Sequence, residues 1–323
     1  MKNFKMILAA ILSVAFILSA CLMLASCGKK TKYTVGICQL VSHVALDAAT
    51  EGFKQALVDK LGAENVKFDY QNAAGDATVC TTIVNSFVSK NYDLIMANAT
   101  PALQAAANAT TKIPILGTSI TEYGVALSIE NFNGTVGSNV SGTSDLAPLT
   151  EQAQMMLDLF PTATKFGLLF CSAEANSAYQ VKVVKEYLES KGKTATYYSF
   201  ADSNDIQSVT NKAAADSDVI YVPTDNTAAS STEIINTIAR ETKTPVFCGE
   251  EGICKGCGTF TLSISYYEIG YKTGEMAAEI LTGASDVSKM PIAYDQHPVK
   301  KYNKANCEFF GITVPADYVE ITD

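Results

Sequence analysis

Two histidines, His43 and His297, and a single arginine, Arg240, are all that the 323 residues offer to acid–base or phosphoryl chemistry. No G-x-G-x-x-G after a strand, G-x-x-x-x-G-K-[ST], G-x-S-x-G or H-E-x-x-H segment accompanies them, so most phosphoryl-transfer and triad chemistry lacks its parts. The polar residues that could act are gathered where apolar runs end. In Asp218–Thr232, DVIYVPTDNTAASST, a buried strand (Val219–Val222) stops at Pro223 and opens into Thr224-Asp225-Asn226-Thr227. A helix is expected from Ala228 to about Glu241. Asp225 and Asn226 offer a carboxylate beside a neutral acceptor, which an ammonium group needs when it leaves water. Glu250-Glu251, at the end of the next strand, offers a further acid.

The complementary chemistry, holding a carboxylate, belongs to helix starts, where free N–H groups meet the positive end of the helix dipole. Ala99-Thr100-Pro101 is one such start, with Thr as cap and Pro in the first turn. Glu174-Ala175-Asn176-Ser177, before a helix at Ala178, is the second. Ordinary capping, worth ~1 kcal/mol, uses the same residue types. Position is what favours a ligand, because these starts follow strand ends on one side of two facing sheets. Gln39, after the first strand, and Thr118-Ser119, after the fourth, complete a ring of polar strand ends. His43 reads as a surface or capping residue rather than a base.

These positions imply the elements that carry them. Asp93–Ala107, DLIMANATPALQAAA, repeats the Asp218 segment 125 residues earlier, and IPILGTSITEYG and TPVFCGEEGICKG follow in the same order. Strands are expected at 33–41, 66–71, 93–99, 114–120 and 134–142, then at 165–171, 195–200, 219–222, 245–248 and 260–265. Helices of 10–15 residues alternate with them, which predicts parallel sheets with right-handed crossovers, an α/β lobe written twice. The Ser/Gly/Thr-rich stretch Asn139–Leu149 links the lobes. A helix over 267–281 has no counterpart in the first half and is expected to return to the first lobe. The predicted lobes are 33–144 with 266–290 and 145–265 with 291–323, joined by a hinge of several crossings.

Composition narrows the classes further. Hydrophobic residues make up 48% and charged ones 18%, as in folded globular chains. The net charge is −9, and removing residues 1–26 takes away Lys2 and Lys5, leaving 22 bases against 33 acids, or −11. Such a surface excludes nucleic acid, which needs basic patches. Residues 1–26 read as an export signal: a basic start, an apolar run Met6–Leu24, then Leu24-Ala25-Ser26-Cys27. Cys27 is the expected lipidation site and 27–32 a tether, placing the chain outside the cytoplasmic membrane. Seven cysteines follow. Cys254-Lys255-Gly256-Cys257 with Cys248 leaves disulfide, metal and free thiols open, although a metal would lack a fourth ligand.

Taken in order, QLVSHVALDAATEGF, DYQNAAGDATVCTTIVNSFV, SAEANSAYQ and VPTDNT resemble the substrate-binding lipoproteins of tryptophan/tyrosine-type ABC transporters, over Tyr33 to about Pro315. The resemblance implies the type I periplasmic-binding-protein fold, two Rossmann-like lobes on a three-crossing hinge that close on a ligand. It implies an aromatic amino acid as cargo, ABC permease subunits as partners, no cofactor, no catalysis and a monomer anchored only by its lipid. It places Gln39, Thr100, Thr118, Asn176, Ser177, Asp225 and Asn226 in the cleft. Glu251 matches the acid of the family's Asp-Glu-Gly. Asp225→Ala should then weaken binding and leave the fold intact. Another small solute on the same fold, or a sensory ectodomain, is the alternative.

Overall fold

The computed structural model describes residues 32–295 and 297–322. The export signal, Cys27 and the tether up to residue 31 lie outside them. The first sheet runs β2 (Val66–Asn72), β1 (Tyr33–Gln39), β3 (Leu94–Asn98), β4 (Ile115–Ile120), β5 (Val140–Ser144), all parallel. The second repeats that order as β7 (Thr194–Phe200), β6 (Lys165–Cys171), β8 (Val219–Val222), β9 (Val246–Cys248), β10 (Phe260–Ser263). Every residue of β3, β4 and β8 is buried, as expected of parallel strands covered on both faces.

The internal repeat has a structural meaning at its first residue. Asp93 accepts the backbone N–H of Thr34 at 2.7 Å, tying the start of β3 to the start of β1. Asp218 does the same for β8 and β6, accepting Thr164 N–H at 2.7 Å, Lys165 N–H at 2.9 Å and the Thr164 hydroxyl at 3.1 Å. Hydrogen bonds hold the Asp218 carboxyl below the usual range.

In the first lobe α1 (Val44–Leu61) covers one sheet face, and α2 (Ala77–Ser89), α3 (Thr100–Ala109) and α4 (Tyr123–Leu127) complete the lobe. The second lobe carries α5 (Leu149–Leu159), α6 (Ala175–Ser190), α7 (Ile206–Asp216), α8 (Asn226–Ala229), α9 (Thr232–Thr242) and α10 (Glu251–Cys257). The next helix, α11 (Tyr266–Thr282), packs against α1 with the backbones in near contact. A Cβ on Gly270 would stand 2.0 Å from the Ala49 carbonyl oxygen, and one on Gly52 2.1 Å from that of Tyr267. Only glycine permits that approach.

Several elements depart from expectation for local reasons. The strand expected at 134–142 forms at Val140–Ser144, because Gly134 and Gly137 take positive φ of 94° and 76° in the loop before it. The helix expected from Ala228 breaks at Ser230-Ser231. Asp225 caps a single turn, α8, and α9 starts afresh. The C-x-x-C segment forms α10, capped by Glu250. After α11 the chain adds β11 (Ala293–Tyr294) to the first sheet beside β5, so it crosses after Tyr294 rather than at 291. It ends with β12 (Val299–Tyr302), antiparallel to β10, α12 (Lys304–Phe310) and β13 (Val319–Glu320) on the second sheet.

Candidate functional site

The carboxyl ends of both sheets meet at a cleft that the chain crosses three times: at 145–148, at 264–265 and between β11 and β12. Open α/β sheets hold ligands at such ends. An enclosed cavity lies between the lobes there. The first lobe contributes His43, Leu46 and Ser119, and the crossings contribute Asp145 and, at the start of α11, Tyr266. Asn176, Thr224, Asp225, Asn226, Glu250 and Ile253 come from the second lobe. The free space, about 10 Å³, is roughly that of one water, so the walls are drawn together. Glu250 and Tyr266 separate it from an open groove of about 650 Å³ that Glu251, Tyr267, Tyr294 and His297 also line.

The strand-end groups of the first lobe mostly bond one another. Gln39 accepts the Thr50 hydroxyl at 2.6 Å and donates to Asp47 at 2.6 Å and to the Val41 carbonyl at 2.8 Å. Asn98 donates to Thr50 at 2.9 Å and to the Leu46 carbonyl at 2.8 Å. Thr118 meets the Thr143 hydroxyl at 3.2 Å. Ala99, at φ 87°, and Thr100 are buried at the start of α3 and do not wall the cavity. Ser119 does: at φ 57° its backbone turns the hydroxyl toward the cleft, and that buried oxygen has no partner.

In the second lobe the polar groups sit at helix N-termini facing the cleft. Glu174 accepts Asn226 N–H at 3.1 Å, Asn226 Nδ2 at 2.6 Å, Thr227 N–H at 2.9 Å and the Thr227 hydroxyl at 2.8 Å, closing the start of α8. Asp225 accepts Ala228 N–H at 2.8 Å and, from the end of β6, Cys171 N–H at 2.6 Å. Asn176 donates to the Thr224 carbonyl at 3.0 Å and leaves its own oxygen unpartnered, with Ser177 bonded behind it at 3.4 Å. Asp225 therefore holds the fold together as well as walling the cavity. Truncating it is expected to lower stability, contrary to the expectation from sequence.

The acid after β9 is Glu250 rather than Glu251. Glu250 is 2% exposed and accepts N–H from Gly252 and Ile253 as the cap of α10. That geometry turns Glu251 outward, into an ion pair with Lys301. Sequence reasoning set His43 aside as a surface or capping residue and did not reach Leu46, Asp145, Ile253 or Tyr266, all of which wall the cavity. The His43 ring reaches across the cleft to Asn226 Oδ1 at 3.2 Å and makes no cap bond. Its place between the end of β1 and the start of α1 was the available signal.

The electrostatics are one-sided. No Lys or Arg walls the cavity, whereas three buried acids do. Burial pushes Asp225 up to about 7, helped by the neighbouring Glu174. Burial also pushes Glu250 up to about 7 and raises Asp145. It lowers His43, against the bond to Asn226. Such a cage favours a cation that replaces lost hydration. Among the described residues no group of three or more His, Cys, Asp or Glu is placed to hold a metal ion. The seven described cysteines are unpaired and buried.

Residues 34–319 match the family model described as ABC transporter substrate binding protein. The chain belongs to that family. It is 37% identical, over 268 residues covering 81% of this chain and 76% of the relative, to a tyrosine-binding protein of Clostridioides difficile (strain R20291). A Streptococcus pneumonia domain solved in complex with L-Trp aligns at TM-score 0.86 and 28% identity, over 90% of this chain and all of that one. The ligand-free, open structure of a Clostridium difficile substrate-binding protein with adhesive properties covers the same shares at 36% identity and TM-score 0.68. A Thermotoga maritima leucine-binding protein, 13% identical at TM-score 0.60 over 79% of this chain and 84% of its own, shares the fold alone. The architecture is the type I periplasmic-binding-protein fold, and family members are binding proteins rather than enzymes.

The order of those scores reverses the order of identity. The more similar sequence is the open one, yet the structure superposes better on the L-Trp complex. The cleft here is closed, with His43 bonded to Asn226 at 3.2 Å and Gln180 of α6 bonded to Thr121, after β4, at 3.5 Å.

Proposed function

We propose that the protein captures an aromatic α-amino acid between its lobes and delivers it to an ABC permease from the outer face of the cytoplasmic membrane, held there as a monomer by a lipid on Cys27. One observation carries the ligand class. Six buried side-chain oxygens in the described residues lack a partner, and three of them, on Ser119, Asp145 and Asn176, belong to residues walling this one cavity. Buried polar atoms are ordinarily paired, so groups left open around a cleft are suited to a ligand's polar ends. Acids account for an ammonium. The Ser119 hydroxyl offers a donor for a carboxylate, and Tyr266, Tyr267 and Tyr294 in the adjoining groove suit an aromatic ring. The relatives named for tyrosine and L-Trp support the aromatic assignment.

Closure is the mechanism. An amino acid does not fit in the space now present, so the lobes open, admit it and close on both of its charged ends. Thermal unfolding of residues 28–323 against each of the twenty amino acids tests this. A ligand at ~100 times its dissociation constant adds about 2.7 kcal/mol, a rise of several degrees. The rise is expected with Tyr, Trp or Phe. Rises with none of the three, but with nucleosides or aliphatic amino acids, remove the aromatic assignment.

A further inference from the structure

Three acids wall the cavity, and they differ in what their oxygens already do. Both oxygens of Asp225 accept backbone N–H groups, from Cys171 and Ala228. Both oxygens of Glu250 do likewise, with Gly252 and Ile253. These two carboxylates complete the starts of α8 and α10. Asp145 stands apart. It is the first residue of the first crossing, 3% exposed, and one oxygen accepts the Tyr266 hydroxyl at 2.9 Å while the other has no partner.

The cavity offers that free oxygen no counter-charge. Its neighbours on the wall are hydroxyl, amide, carboxyl and imidazole groups, and His43 has been pushed toward its neutral form by burial. Burial likewise raises Asp145, against the bond from Tyr266. A buried acid with an open oxygen, in a cage without a base, is poised for an ammonium donor.

Resting on the reading of the site as an amino-acid cleft, we propose that Asp145 is the group that receives the ligand's ammonium, and that Tyr266 positions it. Asp145 lies on the crossing from β5 to α5, and Tyr266 follows the crossing from β10 to α11. An ammonium held at Asp145 therefore engages the hinge itself, between two of its three strands, rather than one lobe. Ligand charge and closure are linked through that contact: opening the hinge moves the crossings that shape the Asp145–Tyr266 pair, so the closed form binds the ammonium better. Asp225 and Glu250 add negative potential without direct contact.

Calorimetric titration with paired probes tests the assignment. The probes are L-tyrosine and L-tryptophan against 3-(4-hydroxyphenyl)propanoate and indole-3-propanoate, which lack only the amine. Wild-type protein is expected to prefer the amino acids by at least about 100-fold, the range for truncating one side of a buried charge pair. Asp145→Asn should lose roughly that factor for the amino acids and little for the deaminated probes, erasing the preference. Tyr266→Phe should narrow the preference about three- to tenfold, and it keeps the test open if Asp145→Asn does not fold. Equal losses for both probe classes, or a preference that survives in Asp145→Asn or is unchanged in Tyr266→Phe, overturns the role. Wild-type protein that binds neither amino acid overturns the ligand class, and the inference with it. Wild-type binding that Asp145→Asn leaves unchanged overturns the inference alone.

Discussion

The two lobes share a strand order and the aspartate latch at Asp93 and Asp218, yet treat their strand ends oppositely. In the first lobe Gln39, Thr50 and Asn98 bond one another, while Ser119, His43 and Thr121 turn polar atoms to the cleft. In the second, acids at the starts of short helices line the cleft. Duplicated topology thus carries unlike chemistry. The first lobe's strand ends are mostly bonded to one another, while the second lobe holds most of the negative potential and the hinge supplies the open oxygen of Asp145. A helix packed without room for a side chain, α11 on α1, belongs to the first lobe alone.

That packing is where the comparison can be broken hardest. Gly270→Ala places a methyl 2.0 Å from a backbone oxygen, which cannot move without shifting α1. A loss of about 3 kcal/mol is expected in urea denaturation, the upper part of the range for overpacking. A loss under ~1 kcal/mol would mean that α11 rides loosely on the first lobe. The aspartate latches sharpen the comparison at smaller scale. Asp218→Ala removes three bonds to one carboxylate and should cost about 2 kcal/mol, against about 1 kcal/mol for Asp93→Ala with its single side-chain bond. Equal costs would show that the repeat is symmetric in energy as well as in order.

How much of this was legible in the sequence follows from where each signal is stored. Strands buried on both faces, such as Leu94–Asn98 and Val219–Val222, are continuous apolar runs and stand out. The duplicated Asp-led segments stand out for the same reason. Direction does not. Gln39 and His43 lie four residues apart at one strand end, and only the backbone decides that Gln39 turns inward to Thr50 while His43 crosses the cleft. At Glu250-Glu251 the helix start shifts the acid by one residue, and the C-x-x-C motif drew attention to thiols over the helix containing them. Asp145 and Tyr266 were invisible because crossings carry no periodicity.

The smallest effect tests the electrostatic half of the comparison. Asp225 and Glu250 titrate near 7 in the folded, unliganded protein and near 4 when unfolded, so the folded state holds more protons between those values. Their contribution to stability is full below about pH 4 and falls as pH rises toward about 7. His43 acts in the opposite sense. Lowered by burial, it stays neutral in the folded form while the unfolded ring takes up a proton, so its contribution grows as pH rises through about 6.5 and levels off about one unit higher. Between about pH 6.5 and 7.5 the two acids outweigh the one imidazole, and the melting temperature of the unliganded protein should drop by a few degrees. Glu250→Gln should remove about half of that drop, since glutamine keeps the shape and sheds the charge. A saturating amino acid should flatten it, because the ligand's ammonium supplies the charge that the cavity lacks. A drop untouched by both would place the titrating groups outside the second lobe's wall and leave the two lobes electrostatically alike.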